Sequence, residues 1–199
     1  MEYNADSVRE KINDSIGLKK KLLEDFSFSE AVLKAADTLI RVLRRGGRVL
    51  FCGNGGSAAD AQHFAAELSG KFLVEREPLD AEALHVNTSF ITAVANDYGF
   101  TEAYARLVRA KGRQGDVVVG ISTSGNSPNM VRAFEAARES GIATIGLTGE
   151  KGGAMASLSD VLIAVPSRST PRIQEAHQLI GHILCEIVET ACCESGSEK

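Results

Sequence analysis

At 199 residues, 44% of them hydrophobic, the chain fits a single domain with one sizeable core. A net charge of −4 and a pI near 5.6 exclude the basic footprint that nucleic-acid backbones demand, so any phosphate ligand must be held locally. Cys52, Cys185, Cys192 and Cys193 show neither CxxC spacing nor disulfide-framework density, no apolar leader opens the chain, and no run of about 18 apolar residues occurs; a cytoplasmic protein with free thiols and no membrane partner is expected.

Apolar residues recur at Val8, Ile12, Ile16, Leu22 and Leu23, which predicts an N-terminal helix of the kind that packs on a neighbouring subunit. "SFSE", Ser27 to Glu30, reads as a capping box. It opens a second helix with a stripe through Val32, Leu33, Ala36, Leu39, Ile40 and Leu43, stopping at Gly46-Gly47. "RVLF", Arg48 to Phe51, is the first strand, and it feeds "GNGGSAADAQHFAAEL", Gly53 to Leu68, a glycine turn running into an alanine-rich helix. After the charged connection "KFLVEREPLD" come a short strand at Ala83 to Val86 and a helix capped near Asn87 or Thr88. That helix ends in a turn at Asn96 to Gly99, and another spans Glu102 to Ala110.

"DVVVGI", Asp116 to Ile121, is a continuous apolar run expected of a strand buried on both faces. "STSGNSPN" breaks it, and Pro128 sits in the first turn of a helix reaching Ser140. Strands at Ile142 to Gly149 and Asp160 to Pro166 precede a last helix from Arg172 to Cys193. Strands alternating with helices in this way predict an α/β fold: a doubly wound αβα sandwich on a five-stranded parallel sheet, with ligands beyond the carboxyl ends of the strands. One domain is expected over 1–195, with 196–199 a disordered tail.

Two loops leave buried strands rich in small polar residues. "GNGGS" offers backbone N–H groups and a helix dipole, and "STSGNS" adds the hydroxyls of Ser122, Thr123, Ser124 and Ser127; together they can hold a phosphomonoester without arginine. Gly53, Gly55 and Ala58 also match a dinucleotide turn, but the second strand ends in Val86-Asn87 with no acidic residue for a ribose, and no GK[ST] follows.

His63 and Glu67, at i and i+4, share one helix face; Gln174, Gln178 and His182, at i, i+4 and i+8, share another. Taken together, His63, Glu67, Gln174 and His182 offer either a proton-transfer pair, Glu67 with His182, or the ligands of a divalent metal such as zinc. Glutamine is an uncommon zinc ligand, so the residues alone favour proton transfer.

The segments "GNGGSAADAQHFAAEL", "ANDYGF", "GISTSGNS", "LTG" followed by "GG", and "RIQEAHQLIGHIL" occur in an order that resembles the phosphoheptose isomerases of the sugar-isomerase (SIS) domain family, over nearly the whole chain. That family has a flavodoxin-like sheet. The resemblance implies conversion of sedoheptulose 7-phosphate to glycero-manno-heptose 7-phosphate, the opening step toward ADP-heptose for lipopolysaccharide core or other heptose glycans. It implies a homotetramer with active sites between subunits, and zinc held by His63, Glu67, Gln174 and His182. Substrate contacts would fall to Asn54, Gly55, Gly56, Ser57, Asn96, Asp97, Ser122, Thr123, Ser124 and Ser127, with Glu67 and Gln174. Lys71 stands where relatives often carry Arg, and Pro171 where some carry Asp. Non-catalytic SIS regulators that bind a replication initiator share the glycine and serine loops, and they are the alternative from another class.

Overall fold

A computed structural model describes residues 4–194; the tail expected at 196–199 lies outside them. Helix α1 (Ala5–Glu24) is capped by Asn4, whose Oδ1 accepts the amides of Asp6 and Ser7 at 3.0 Å each. Its stripe divides: Leu18 and Leu22 are buried, while Val8, Ile12 and Ile16 stay 61%, 54% and 44% exposed. Helix α2 (Phe26–Arg44) corrects the expected capping box. Asp25 is the cap, accepting the amide of Phe28 at 3.2 Å, and Ser27 lies inside the helix with its hydroxyl on Asp25 at 2.6 Å. An ionised carboxylate just before the first turn also meets the positive dipole end, which a neutral serine cannot do as well. Leu33 faces outward, and Val32, Ala35, Ala36, Leu39 and Val42 form the buried stripe.

Strands β1 (Val49–Gly53), β2 (Ala81–Ala83), β3 (Val117–Ser122), β4 (Ala143–Gly149) and β5 (Val161–Val165) form one parallel sheet in the order β2-β1-β3-β4-β5. Helices α3 (Gly56–Ser69), α4 (Thr88–Tyr98), α5 (Ala103–Lys111), α6 (Pro128–Glu139) and α7 (Thr170–Glu194) connect and cover it. Strand β2 starts earlier and stops sooner than its sequence predicts: Leu84–Val86 is a 3-10 turn that tucks Leu84 into the core. Helix α4 runs on through Asn96 and Asp97 and stops at Gly99, whose φ of 85° suits glycine. A further 3-10 segment, Gly153–Leu158, for which the sequence carries no clear local signal, lies between β4 and β5.

Alternate residues of the inner strands feed two cores, as the two-residue period of a strand requires. Val49, Phe51, Val119, Ile121 and Leu147 pack with Leu39, Phe64, Ile180 and Val188 of the α1, α2, α3 and α7 layer. Leu50, Cys52 and Val118 pack with Tyr104, Val108, Met130 and Phe134 of the α5 and α6 layer. Because β1 hands the chain to α3 on one face and β3 hands it to α6 on the other, a crevice opens between their carboxyl ends. Among the described residues no helix is long and apolar enough to cross a membrane.

Candidate active site

The crevice is built first by backbone. A Cβ on Gly53 would stand 2.4 Å from the Ser57 carbonyl oxygen, and Gly55 has φ 56°, so this tight entry into α3 requires glycine. The N-caps of α3 and α6, Gly55 and Ser127, make no side-chain capping bond, which leaves both positive helix ends available to an anion. Asn54 and Asn129 exchange amide hydrogen bonds at 2.9 and 2.8 Å, tying the β1 loop to the start of α6. Ser122 and Ser127 hydroxyls lie 3.3 Å apart, and Ser124 Oγ accepts the Asn126 amide at 3.1 Å.

Thr123 and Ser124 line a cavity of about 280 Å³ together with Gly149, Lys151, Arg168 and Thr170. The two cations come from the loops after β4 and β5, and the sequence reading missed both. Each follows a strand end closely, but only the strand order reveals that these ends adjoin the serine loop.

The acid–base groups converge from α3 and α7. Glu67 Oε1 is 2.9 Å from His63 Nε2, and His63 Nε2 is 3.3 Å from His182 Nε2. One donor atom from each of the three lies within 4.8 Å of the others. Gln178 Nε2 reaches His63 Nδ1 and His182 Nε2, at 3.2 Å each. His63 Nε2–H donates to Glu67, and the Gln178 amide lies within hydrogen-bond distance of both imidazoles. Two imidazoles and a carboxylate also form the donor set of a catalytic zinc site, so the residues fit a zinc ion.

Gln174 stands two turns before His182 on α7, its amide nitrogen 2.6 Å from where a Cβ would lie on Gly56. It therefore faces the glycine turn, and the glutamine touching both imidazoles is Gln178. Asn96 and Asp97 are exposed on α4, with Asn96 Nδ2 donating to Asp97 Oδ1 at 2.8 Å; among the described residues no hydrogen bond joins their side chains to either loop. Asp60 went unnoticed in the sequence although it sits one helical turn before His63. Its burial raises the carboxyl above the usual carboxylate range, against the pull of the His63 and His182 imidazoles. Phe72 also escaped notice; its ring packs on that of His182 with centroids 5.6 Å apart.

Residues 18–149 match the family model described as the SIS domain. The phosphoheptose isomerase of Rhodospirillum rubrum is 58% identical over 163 residues, covering 82% of this chain and 87% of that protein. The phosphoheptose isomerase of Helicobacter hepaticus is 52% identical over 172 residues, 86% of this chain and 88% of its own. The solved structure of a phosphoheptose isomerase from Neisseria gonorrhoeae superposes with a TM-score of 0.88 at 44% identity, over 93% of this chain and 98% of that one. With its glycine and serine loops meeting at the β1 and β3 ends and its α3 carboxylate beside an α7 imidazole, the chain belongs to the SIS domain family, among the phosphoheptose isomerases.

Proposed function

We propose that the protein isomerises D-sedoheptulose 7-phosphate to D-glycero-D-manno-heptose 7-phosphate, the first step toward a nucleotide-activated heptose. The observation that carries this reading is the convergence of Glu67 and His182, drawn from distant parts of the chain, on one side of α3. The two hydroxyl-lined loops grip the 7-phosphate with Asn54, Gly55, Gly56, Ser57, Ser122, Thr123, Ser124 and Ser127. Binding energy gained there holds C1 and C2 against the acid and the base.

In the forward direction Glu67 takes a proton from C1 while His182 delivers one to the C2 carbonyl oxygen, giving a cis-enediol. Return of a proton to C2 and loss of the O1 proton then produce the aldehyde, with no net change in protons. The hydrogen bond from His63 keeps the Glu67 carboxylate aimed. His63, Glu67 and His182 would hold the zinc ion, and Gln174, which faces the glycine turn in the single chain, would join them as a fourth ligand on turning toward it; when bound, zinc would polarise the carbonyl and stabilise the enediolate. Asn96 and Asp97, free of both loops in this chain, are assigned to substrate contact in a homotetramer whose sites lie between subunits. A cytoplasmic location accords with four free cysteines.

Chromatography of sedoheptulose 7-phosphate incubated with the protein, with and without a chelator, tests the reading. Conversion to the aldose is expected, and it should fall on chelation and return with zinc. Glu67→Gln should lower kcat by about 10²–10⁴-fold with little change in KM. Wild-type-like turnover in that variant would remove Glu67 from the mechanism. The regulator alternative finds no support, since this chain keeps both Glu67 and His182 and its relatives are isomerases.

A further inference from the structure

We infer that Glu189 and Arg76, neither of which faces the crevice, are positioning residues that set the separation of Glu67 and His182. The inference rests on the isomerase reading above. Glu189 lies seven residues beyond His182 on α7, and its side chain is only 2% exposed; that of Arg76 is 5% exposed. Glu189 Oε1 accepts the Phe72 amide at 2.8 Å and Arg76 Nε at 3.0 Å. Its Oε2 accepts the amides of Leu73 and Val74 at 2.6 and 3.1 Å. One carboxylate therefore gathers four N–H donors from a single loop.

The guanidinium carries the connection onward. Arg76 Nη1 donates to the carbonyls of Gly70 and Glu77 at 3.2 and 3.0 Å. Its Nη2 donates to the backbone carbonyl of Glu67 itself at 2.8 Å. That carbonyl belongs to the last turn of α3, which lacks helical partners of its own. The loop thus joins the helix that carries the carboxylate to the helix that carries the imidazole, and the ring of Phe72, inside the clamped stretch, rests on His182.

The chemistry of the pair suits this role. Burial pushes the Glu189 carboxyl up, yet the three amides and Arg76 outweigh it and hold the group below the usual carboxylate range. A buried ion pair gives little net stability over apolar packing, but it fixes geometry when every polar atom is satisfied. Here the geometry it fixes is that of the two groups that must reach one substrate.

The test uses the full-length protein and two variants, Arg76→Lys and Glu189→Gln, whose folding is first checked by circular dichroism and thermal melting. Lysine keeps the charge opposite Glu189 but cannot reproduce the fork that reaches Glu67, Gly70 and Glu77. In the folded variants kcat should fall about 10- to 100-fold while KM for sedoheptulose 7-phosphate moves less than about 3-fold. The nuclear Overhauser contact between the Phe72 and His182 ring protons should weaken or vanish. If Glu189→Gln does not fold, Arg76→Lys decides. Unchanged kcat in a folded variant, or a loss that only tracks the unfolded fraction, overturns the inference. Should the wild-type protein fail to turn over the sugar phosphate, the functional reading falls by itself and the ring contact decides: its loss in the variants supports positioning, and its retention overturns it.

Discussion

His177 sits beside Gln178 on α7 yet takes no part in the crevice. Its ring is fully buried, Nε2 donates to the Thr148 carbonyl at 3.1 Å, and Nδ1 has no hydrogen-bond partner among the described residues. Burial lowers its pKa from 6.5 to about 4, so the folded protein keeps it neutral across a range where the unfolded chain binds a proton. The stability it lends is therefore complete above about pH 6.5 and is lost as pH falls toward 4, a difference of about 3 kcal/mol over that window. His177→Leu should melt lower than wild type at pH 7.5, with the gap narrowing at pH 4.5; parallel melting curves across that range would refute the assignment. The contrast with His63 shows what can be read at the residue level. His63 and Glu67 are four apart on one helix, so their meeting follows from helical period alone. His182 comes 119 residues after His63, and nothing local brings them together; residue type suggests grouping them, and only the family resemblance implies that they meet. Phe72, Lys151 and Arg168 carry no such pointer, because their place near the site depends on loops and strand order, whereas Asp60 lies one turn from His63 on the same helix.

Where α3 crosses α7, the contact depends on one missing side chain. A Cβ on Gly181 would stand 2.0 Å from the buried Phe64 ring, and His182 is the next residue. The Phe64 ring lies against that imidazole with centroids 6.3 Å apart, so the helix crossing and the site share one contact. Gly181→Ala would gain about 1 kcal/mol in helix propensity but must push the helices apart, at an overpacking cost of about 1–3 kcal/mol. The expected outcome is a folded protein with a lowered melting temperature and turnover reduced at least tenfold; a melting temperature above wild type with full activity would contradict it. Elements as a class were legible because their signals are local: the apolar run of β3, Pro128 at the start of α6 and Asn87 before α4 all act where the sequence reading put them. The discrepancies are local competitions. Asp25 outdid Ser27 as a cap, and β2, an edge strand pairing with β1 alone, gave way to a turn that buries Leu84. A glycine inside an apolar helix reads as a weak point in sequence, and its use as a crossing point is visible only once Phe64 is seen against it.

At the scale of the whole molecule, the outward face of α1 is the surface on which the proposed self-association would act. Val8, Ile12 and Ile16, one helical turn apart, stand about half exposed, and Leu23 and Phe26 further along are 83% and 77% exposed. The first three line a cavity of about 510 Å³ whose other wall includes Arg172 and Glu175 of α7, directly beside Gln174 at the glycine turn. Arg172 donates to the Lys11 carbonyl and pairs with Glu175 at 2.5 Å, so α1 is anchored at the edge of the crevice. A second copy seated on α1 would therefore border the site, which joins self-association to activity. Covering the exposed part of each branched side chain is worth about 1 kcal/mol, so a single aspartate in the stripe removes that gain and adds a carboxylate to be desolvated at every copy. On the proposed homotetramer, Ile12→Asp should yield smaller species than the unsubstituted protein in chromatography coupled to light scattering, with its circular dichroism preserved because Ile12 contributes little to the protomer core. Turnover should fall in step with the loss of tetramer and recover at high protein concentration. A monomeric Ile12→Asp variant with full turnover would separate the α1 face from the site and leave the active centre to the single chain.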